Sequence, residues 1–276
     1  MGTQKVCTIT GAAGVLPSAF ALDMAKNGYA VALLDRNVKG AEELAERIRF
    51  AGGVAAAYGC DVLDKASLEE VHRKALAELG RTTVLINGAG GNSPRATAVN
   101  ETFTPGDETR NDIATFFNLD RSGFEFVFNL NILGTLLPTQ VFTPDMVGEK
   151  GCSVLNISSM NAFRPLTKIP AYSAAKAGVS NFTQWLAVYF APAGVRVNAI
   201  APGFFVTAQN KALLFHEDGT PTPRTGKILA ATPMGRFGEP DELLGALRFF
   251  TDPAASGFVT GVVLPVDGGF AAYSGV

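Results

Sequence analysis

Apolar residues fall along this chain in short, nearly unbroken runs, at 6–10, 30–34, 54–60, 83–87, 154–157, 195–200 and 261–266. Each run is too short for an ordinary helix and rich in Val, Ile, Leu and Ala, as expected of strands covered on both faces. Between them the apolar period lengthens to that of amphipathic helices, near 17–27, 38–50, 64–79, 124–147, 172–190 and 240–250. Strand and helix alternating in this way predict an α/β fold, a doubly wound parallel sheet of about seven strands. No internal repeat or linker divides the chain, so residues 1–276 are expected to form a single domain. Two polar excursions break the pattern, 91–123 and 203–233, the second with a short helical piece near 208–215 and a turn-rich middle, 216–224. Both leave the carboxyl ends of strands, where ligands bind in such sheets, so both are expected to wall a pocket.

Composition adds mostly exclusions. With 47% apolar and 17% charged residues a large core is easily built, and a net charge of −2 gives no case for nucleic acid or an anionic membrane. Cys7, Cys60 and Cys152 form no C-x-x-C pair and read as small buried residues of a reduced, cytoplasmic protein. No continuous apolar run reaches ~18 residues, and the first residues lead straight into a strand with no signal peptide. His72 and His216 have no ligand-like companions and read as structural or surface residues; no metal site is expected.

The chemistry gathers in VLNISSMNAFRPLTKIPAYSAAK, residues 154–176. Tyr172 and Lys176 stand four apart and share a helix face. A free phenol titrates near ~10, and a neighbouring cation lowers that value toward one useful for proton transfer. Ser159, at the end of the preceding strand, can aim a hydroxyl at the same place. The three suggest a general acid/base, an activating cation and a donor for a carbonyl oxygen. At this spacing they resemble the catalytic group of the short-chain dehydrogenases/reductases, whose fold is the Rossmann type. The resemblance adds Asn131, followed by Gly134, as the asparagine that completes a proton relay through water to Lys176.

The first βα turn should set backbone N–H groups and a helix N-terminus against a pyrophosphate. It reads Thr10-Gly11-Ala12-Ala13-Gly14-Val15-Leu16-Pro17, against the T-G-x-x-x-G-x-G of the family, so Val15 and Pro17 stand where glycines are usual. A Cβ at Val15 limits approach to the pyrophosphate, and Pro17 supplies no N–H, though proline suits the first turn of a helix. Asp35 closes the second strand about twenty residues further on, where a carboxylate can accept from the adenosine ribose and repel a 2′-phosphate. It argues for NAD over NADP; the adjacent Arg36 argues the other way. A helix N-cap is the alternative role for Asp35. By resemblance the cofactor site is Gly11, Gly14, Val15, Leu16, Asp35, Arg36, the adenine-flanking Asp61 and Val62, and Asn87, Gly88 and Ala89 of an N-N-A-G-like turn. Tyr172, Lys176, and Pro202, Gly203 and Thr207 of a P-G-x-x-x-T-like motif complete it.

Longer segments, among them FNLNILGTLLPTQVF and TPMGRFGEPDELLGAL, resemble the subgroup assigned as D-mannonate oxidoreductases (fructuronate reductases). That implies hydride transfer between a nicotinamide and a sugar acid, D-mannonate/D-fructuronate. A sugar acid needs donors for its hydroxyls and a cation for its carboxylate. Asn161 and then Asn92 are the first candidates among Asn92, Arg95, Asn161, Arg164, Lys168, Asn210 and Lys211. Two alternatives stay open: the same reaction on another polyol or keto acid, as in a gluconate 5-dehydrogenase, and a nucleotide-binding sensor without turnover. The family implies a homotetramer, with the helices at 124–147 and 172–190 and the C-terminal stretch 258–276 reaching neighbours.

Overall fold

A computed structural model describes residues 4–206 and 211–275, with only the backbone described at Ala212 and Leu213. Seven parallel strands form one sheet: β1 Val6–Thr10, β2 Ala30–Asp35, β3 Val54–Gly59, β4 Thr82–Asn87, β5 Ser153–Ile157, β6 Arg196–Pro202 and β7 Val263–Val266. Their order is β3-β2-β1-β4-β5-β6-β7, so the chain winds outward in one direction from β1 and then in the other. The reversal lies between β1 and β4, where nucleotides bind in such sheets.

Side chains alternate between two cores. Cys7, Ile9, Val31, Leu33, Ile86 and Leu155 face one layer, with α1 (Val15–Lys26) and α2 (Val38–Phe50). Ala32, Leu34, Leu85, Val154 and Val197 face the other, with α3 (Lys65–Glu78) and the long central helices. Burial of both sheet faces explains the unbroken apolar runs. Polar caps start the helices: Asn37 accepts from the Gly40 amide before α2, and Asp64 from those of Ala66 and Ser67 before α3.

The helix expected at 124–147 is four pieces. It opens at α4 (Arg121–Phe128), widens to a π turn at Asn129–Leu133, continues as α5 (Gly134–Phe142) and ends in a 3₁₀ turn. By length and mean hydropathy (1.2) Arg121–Met146 could cross a membrane, but it packs on the sheet and on α3, with half of its most apolar window buried. Asn131, Thr135, Thr139 and Thr143 form a stripe along it, each threonine hydroxyl donating to the carbonyl four residues back at 2.6–2.8 Å. Then come α6 (Pro170–Phe190), α7 (Lys211–Leu214), α8 (Pro223–Ala230), α9 (Leu244–Thr251) and α10 (Pro253–Ser256). The helix α8 lies in the excursion expected to be turn-rich; Thr222 caps it and Pro223 occupies its first position.

The 91–123 excursion is built around buried Asp107. Its carboxylate accepts from the Asn100 side chain at 3.2 Å and the Thr104 amide at 3.0 Å, and its carbonyl accepts from Thr115 Oγ1 at 3.1 Å.

Candidate functional site

β5 ends at Ile157, and Ser158 ties that end to α6: its hydroxyl donates to the Lys176 carbonyl at 3.2 Å and shares a 2.7 Å hydrogen bond with Ser180. Ser159 and Tyr172 are thereby brought together, with the serine hydroxyl near enough to act on the phenol. Lys176, 4% exposed, donates from Nζ to the Ile157 carbonyl at 2.7 Å and lies 5.7 Å from the Tyr172 ring centre. Asn131 stands beside them. A Cβ placed on Gly90 would be 2.8 Å from Asn131 Oδ1 and 3.0 Å from Lys176 Nζ, so only a bare backbone lets both groups share that space. The Asn131 amide donates to the carbonyls of Gly91 (2.8 Å) and Val127 (2.7 Å), and Oδ1 accepts from the Gly91 amide. Diverting the Val127 carbonyl in this way accounts for the π turn.

The electrostatics correct one expectation. Lys176 does not depress Tyr172 in this arrangement: burial pushes the phenol above its ordinary value of 10.0, and the Ser159 hydroxyl draws it part of the way back. Both groups are desolvated, and the ammonium is held by a strand carbonyl rather than by the phenol oxygen. Burial also lowers Lys176 from 10.5 to about 8. Between these values the unfolded chain binds more protons than the folded one, so this residue makes stability rise with pH from about 8 upward. Cys60 and Cys152, raised by burial from 9.0 to about 11, act oppositely above pH 9, so the effect is isolated by difference. Urea unfolding at pH 7 and 9.5 should show wild type gaining about 2 kcal/mol on Lys176→Met. An unchanged difference would mean that the lysine is not desolvated.

At the nucleotide end, Gly11 has φ +64°, and a Cβ there would meet Ala89 Cα at 2.8 Å. Thr10 Oγ1 accepts from the amides of Gly88 and Ala89 at 3.2 Å, locking the β1 and β4 turns together. Sequence reading passed over this residue, although it opens the glycine motif. Gly14 caps α1, whose first amides, at Val15 and Leu16, have no acceptor within the helix and are free for a phosphate. Val15 is 36% exposed, whereas Pro17 is buried, its ring turned onto Gly88 and away from solvent. Asp35 is not a helix cap, since Asn37 fills that role; its carboxylate accepts from the Ala13 amide at 2.9 Å and the Asn37 amide at 2.7 Å. Half-exposed beside the glycine turn, it keeps lone pairs for ribose hydroxyls. Arg36 leans to Asp61 at 3.8 Å, both on the surface, while Val62 is buried and packs beneath Gly134. Pro202 ends β6, and Gly203 is pressed so close to Asp267 that a Cβ would lie 2.5 Å from its Cα.

Other expected residues are placed differently. The Asn87 side chain, assigned to the cofactor, points into the core. Its register partner across the sheet is Asn156, to which its amide donates at 2.8 Å, and it also donates to Thr139 at 3.0 Å. Only its backbone faces the turn. Asn92 is exposed and bonds Thr97 at 3.0 Å, while Asn161 is buried and its amide donates to Ser159 Oγ at 3.2 Å. Arg95 is engaged by Ser122 and Asp120, and Arg164 by the Ala271 carbonyl, so neither guanidinium is aimed at the catalytic groups. Lys211 is exposed; Thr207 and Asn210 lie outside the described residues. His72 bonds Asp145 at 3.0 Å behind the sheet, a structural role. A cavity of about 220 Å³ lies between the 91–123 excursion and the start of α6, lined by Asn100, Glu101, Phe116, Phe117, Lys168 and Pro170 among others. A larger one, about 360 Å³, lies under Phe204, Met234 and Asp267; neither is lined by a catalytic residue.

A phenol, a hydroxyl and a buried amine at the carboxyl end of a doubly wound sheet, beside a glycine turn and a ribose-height carboxylate, define a dinucleotide-dependent oxidoreductase. Residues 5–217 match the short chain dehydrogenase family, and the chain belongs to it. An uncharacterized oxidoreductase of Haemophilus influenzae is 58% identical over 99% of this chain and 95% of its own. The uncharacterized oxidoreductase UxuB of Bacillus subtilis is 49% identical over 99% of this chain and 96% of its own. A crystal structure from Haemophilus influenza, of a protein provisionally named a D-mannonate oxidoreductase with bound NAD, superposes with a TM-score of 0.94. It shares 58% identity, over 99% of this chain and 96% of that one.

Proposed function

We propose that this protein is an NAD-dependent oxidoreductase of sugar acids, interconverting D-mannonate and D-fructuronate. The Ser159 hydroxyl and the Tyr172 phenol beside buried Lys176, whose Nζ lies 5.7 Å from the phenol ring centre, carry the reaction type. The 58% identity to a protein provisionally named a D-mannonate oxidoreductase supports the substrate. Asp35 supports NAD: a carboxylate at ribose height accepts from hydroxyls and repels a 2′-phosphate, while Arg36 is drawn aside to Asp61.

The residues fit such a cofactor. The positive φ at Gly11 and the free first amides of α1 offer a close backbone approach for a pyrophosphate, with Asp35 beyond it and Lys176 at the far end. When bound, the nicotinamide supplies the hydride acceptor or donor. In the oxidative direction Tyr172, as phenolate, takes the carbinol hydroxyl proton while Ser159 holds the oxygen. In the reductive direction Tyr172 returns that proton to the developing alkoxide. A positioned acid/base contributes roughly 10²–10⁴-fold, and a donor on developing charge a few kcal/mol. Lys176 and Asn131 border the space through which Tyr172 is reprotonated.

Reduced-nicotinamide absorbance with D-mannonate, offered NAD and NADP in parallel, tests the reading. Turnover with NADP alone removes the Asp35 argument and leaves the catalytic one. Turnover of other polyols or keto acids, but not D-mannonate, moves the protein to the gluconate 5-dehydrogenase-like alternative.

The same reading includes a cytoplasmic homotetramer. On α6, Phe182, Trp185 and Tyr189 stack with centroids 6.1 and 5.0 Å apart, and Trp185, Val188 and Tyr189 are all exposed. A second copy of the same helix is the surface that would cover such a stripe. Sedimentation should return a tetramer that Trp185→Glu dissociates; monomer alone in the wild type removes the assembly.

A further inference from the structure

Strand order places β5 between β4 and β6, so a bond between the excursions that follow β4 and β6 arches over the end of β5, where Ser159 emerges. Such a bond exists. Lys227 Nζ, on α8, donates to Glu101 Oε2 at 2.8 Å. Two further cations act on the same carboxylate. Arg224 precedes Lys227 by about one turn of α8, and Lys168 comes from the segment between Ser159 and Tyr172. The hydrogen bond from Lys227, then the charges of Lys227, Lys168 and Arg224, hold the Glu101 carboxyl below its ordinary range. Lys168, Arg224 and Lys227 thus act on Glu101, and even with Asp107 lining the same cavity they leave a local excess of positive charge on a chain whose net charge is −2.

Lys168 is unusual in two further ways. Its φ is +73°, the one left-handed non-glycine residue among those described, a strained conformation that persists only where its surroundings impose it. The imposing contact is the Ala98 amide, which donates to the Lys168 carbonyl at 2.8 Å and couples the first excursion to the catalytic segment. Half-buried, Lys168 lines the 220 Å³ cavity together with Glu101, Asn100, Thr102 and Pro170, two residues before Tyr172.

We propose that Lys168, backed by Lys227 and Arg224, receives the carboxylate of an anionic substrate, and that Glu101 is the internal counter-ion which that carboxylate displaces. This rests on the sugar-acid reading and names the cation it requires. In the absence of substrate Glu101 spares the cluster its mutual repulsion and joins the two excursions. An entering carboxylate takes over the same donors without adding a buried unpaired charge.

The test is the KM and kcat for D-mannonate with NAD, beside the inhibition constant of D-mannitol, its neutral analogue. Lys168→Met should raise the D-mannonate KM about tenfold or more, the loss of one charge-assisted contact, with kcat and the mannitol constant within about twofold. Lys168→Gly, which accepts φ +73° without strain, should do the same and guards against a folding defect. Glu101→Gln should move the KM the other way, several-fold down. If wild type oxidises D-mannonate and both Lys168 variants keep its KM, the carboxylate site is overturned and the sugar-acid reading stands. If wild type acts only on neutral polyols, both are overturned.

Discussion

Tyr172→Phe is expected to cut turnover by about 10²–10⁴-fold while the fold and the nucleotide site persist. The change removes one oxygen and nothing else. The ring packs against the buried cluster of Ala96, Val127, Ala171 and Ala175, none of which touches the reaction through the hydroxyl. What is lost is the phenol on which Ser159 acts and beside which Lys176 stands. Ser159→Ala gives a second reading of the same pair. Burial raises Tyr172 and the Ser159 hydroxyl lowers it, so removing that hydroxyl lets the phenol rise further. Oxidation needs the phenolate, and its pH–rate profile should move to higher pH as well as fall in height. Unfolding curves and fluorescence titration with NAD separate chemistry from folding and binding. A Tyr172→Phe enzyme that retains more than a tenth of wild-type turnover would sink the assignment of Tyr172 as the proton carrier.

How much of this was legible beforehand depends on whether the controlling interaction is local. The strands were, because burial on both faces leaves an unbroken apolar run that only a parallel sheet explains. The Tyr172–Lys176 pair was legible because both residues lie on one helix face. The direction of the Tyr172 shift was not, since it depends on burial and on Nζ bonding the Ile157 carbonyl, a partner 19 residues away. The π turn was hidden for a related reason: the Asn131 side chain that takes the Val127 carbonyl is held in place by Gly91, 40 residues distant. Its signal existed in part, as a polar residue at every fourth position through Asn131, Thr135, Thr139 and Thr143. Helix α8 also announced itself, by Thr222 before Pro223, but the surrounding turn residues outweighed the cap. Asn87 was read by its place in a motif, whereas register with Asn156 turns its side chain inward. The Glu101–Lys227 pair, 126 residues apart, left no trace in the sequence.

Two departures from the family pattern, Pro17 for a glycine and Gly88 for an asparagine, are best understood as one. Gly88 is not there for its backbone, since its φ lies outside the left-handed region. It is there for space: a Cβ would stand 2.8 Å from Pro17 Cγ and 2.7 Å from the Thr10 carbonyl oxygen. The proline ring fills the gap between α1 and the end of β4 that a side chain at position 88 would otherwise occupy, and at the third helical position it forfeits no intrahelical hydrogen bond. Gly88→Asn alone should therefore destabilise the protein by about 1–3 kcal/mol through overpacking and weaken NAD binding by displacing the Thr10-anchored turn. In a Pro17→Gly background the ring contact is gone and only the Thr10 carbonyl must yield, so the same substitution should cost at least about 1 kcal/mol less. Urea unfolding of the four proteins of the cycle measures that difference. Costs that add to within about 0.5 kcal/mol would mean that the two positions changed independently. Coupling of the expected sign would mean that Pro17 substitutes for the usual glycine structurally, leaving Val15, the neighbouring departure on the exposed face of the turn, as the one that bears on the pyrophosphate.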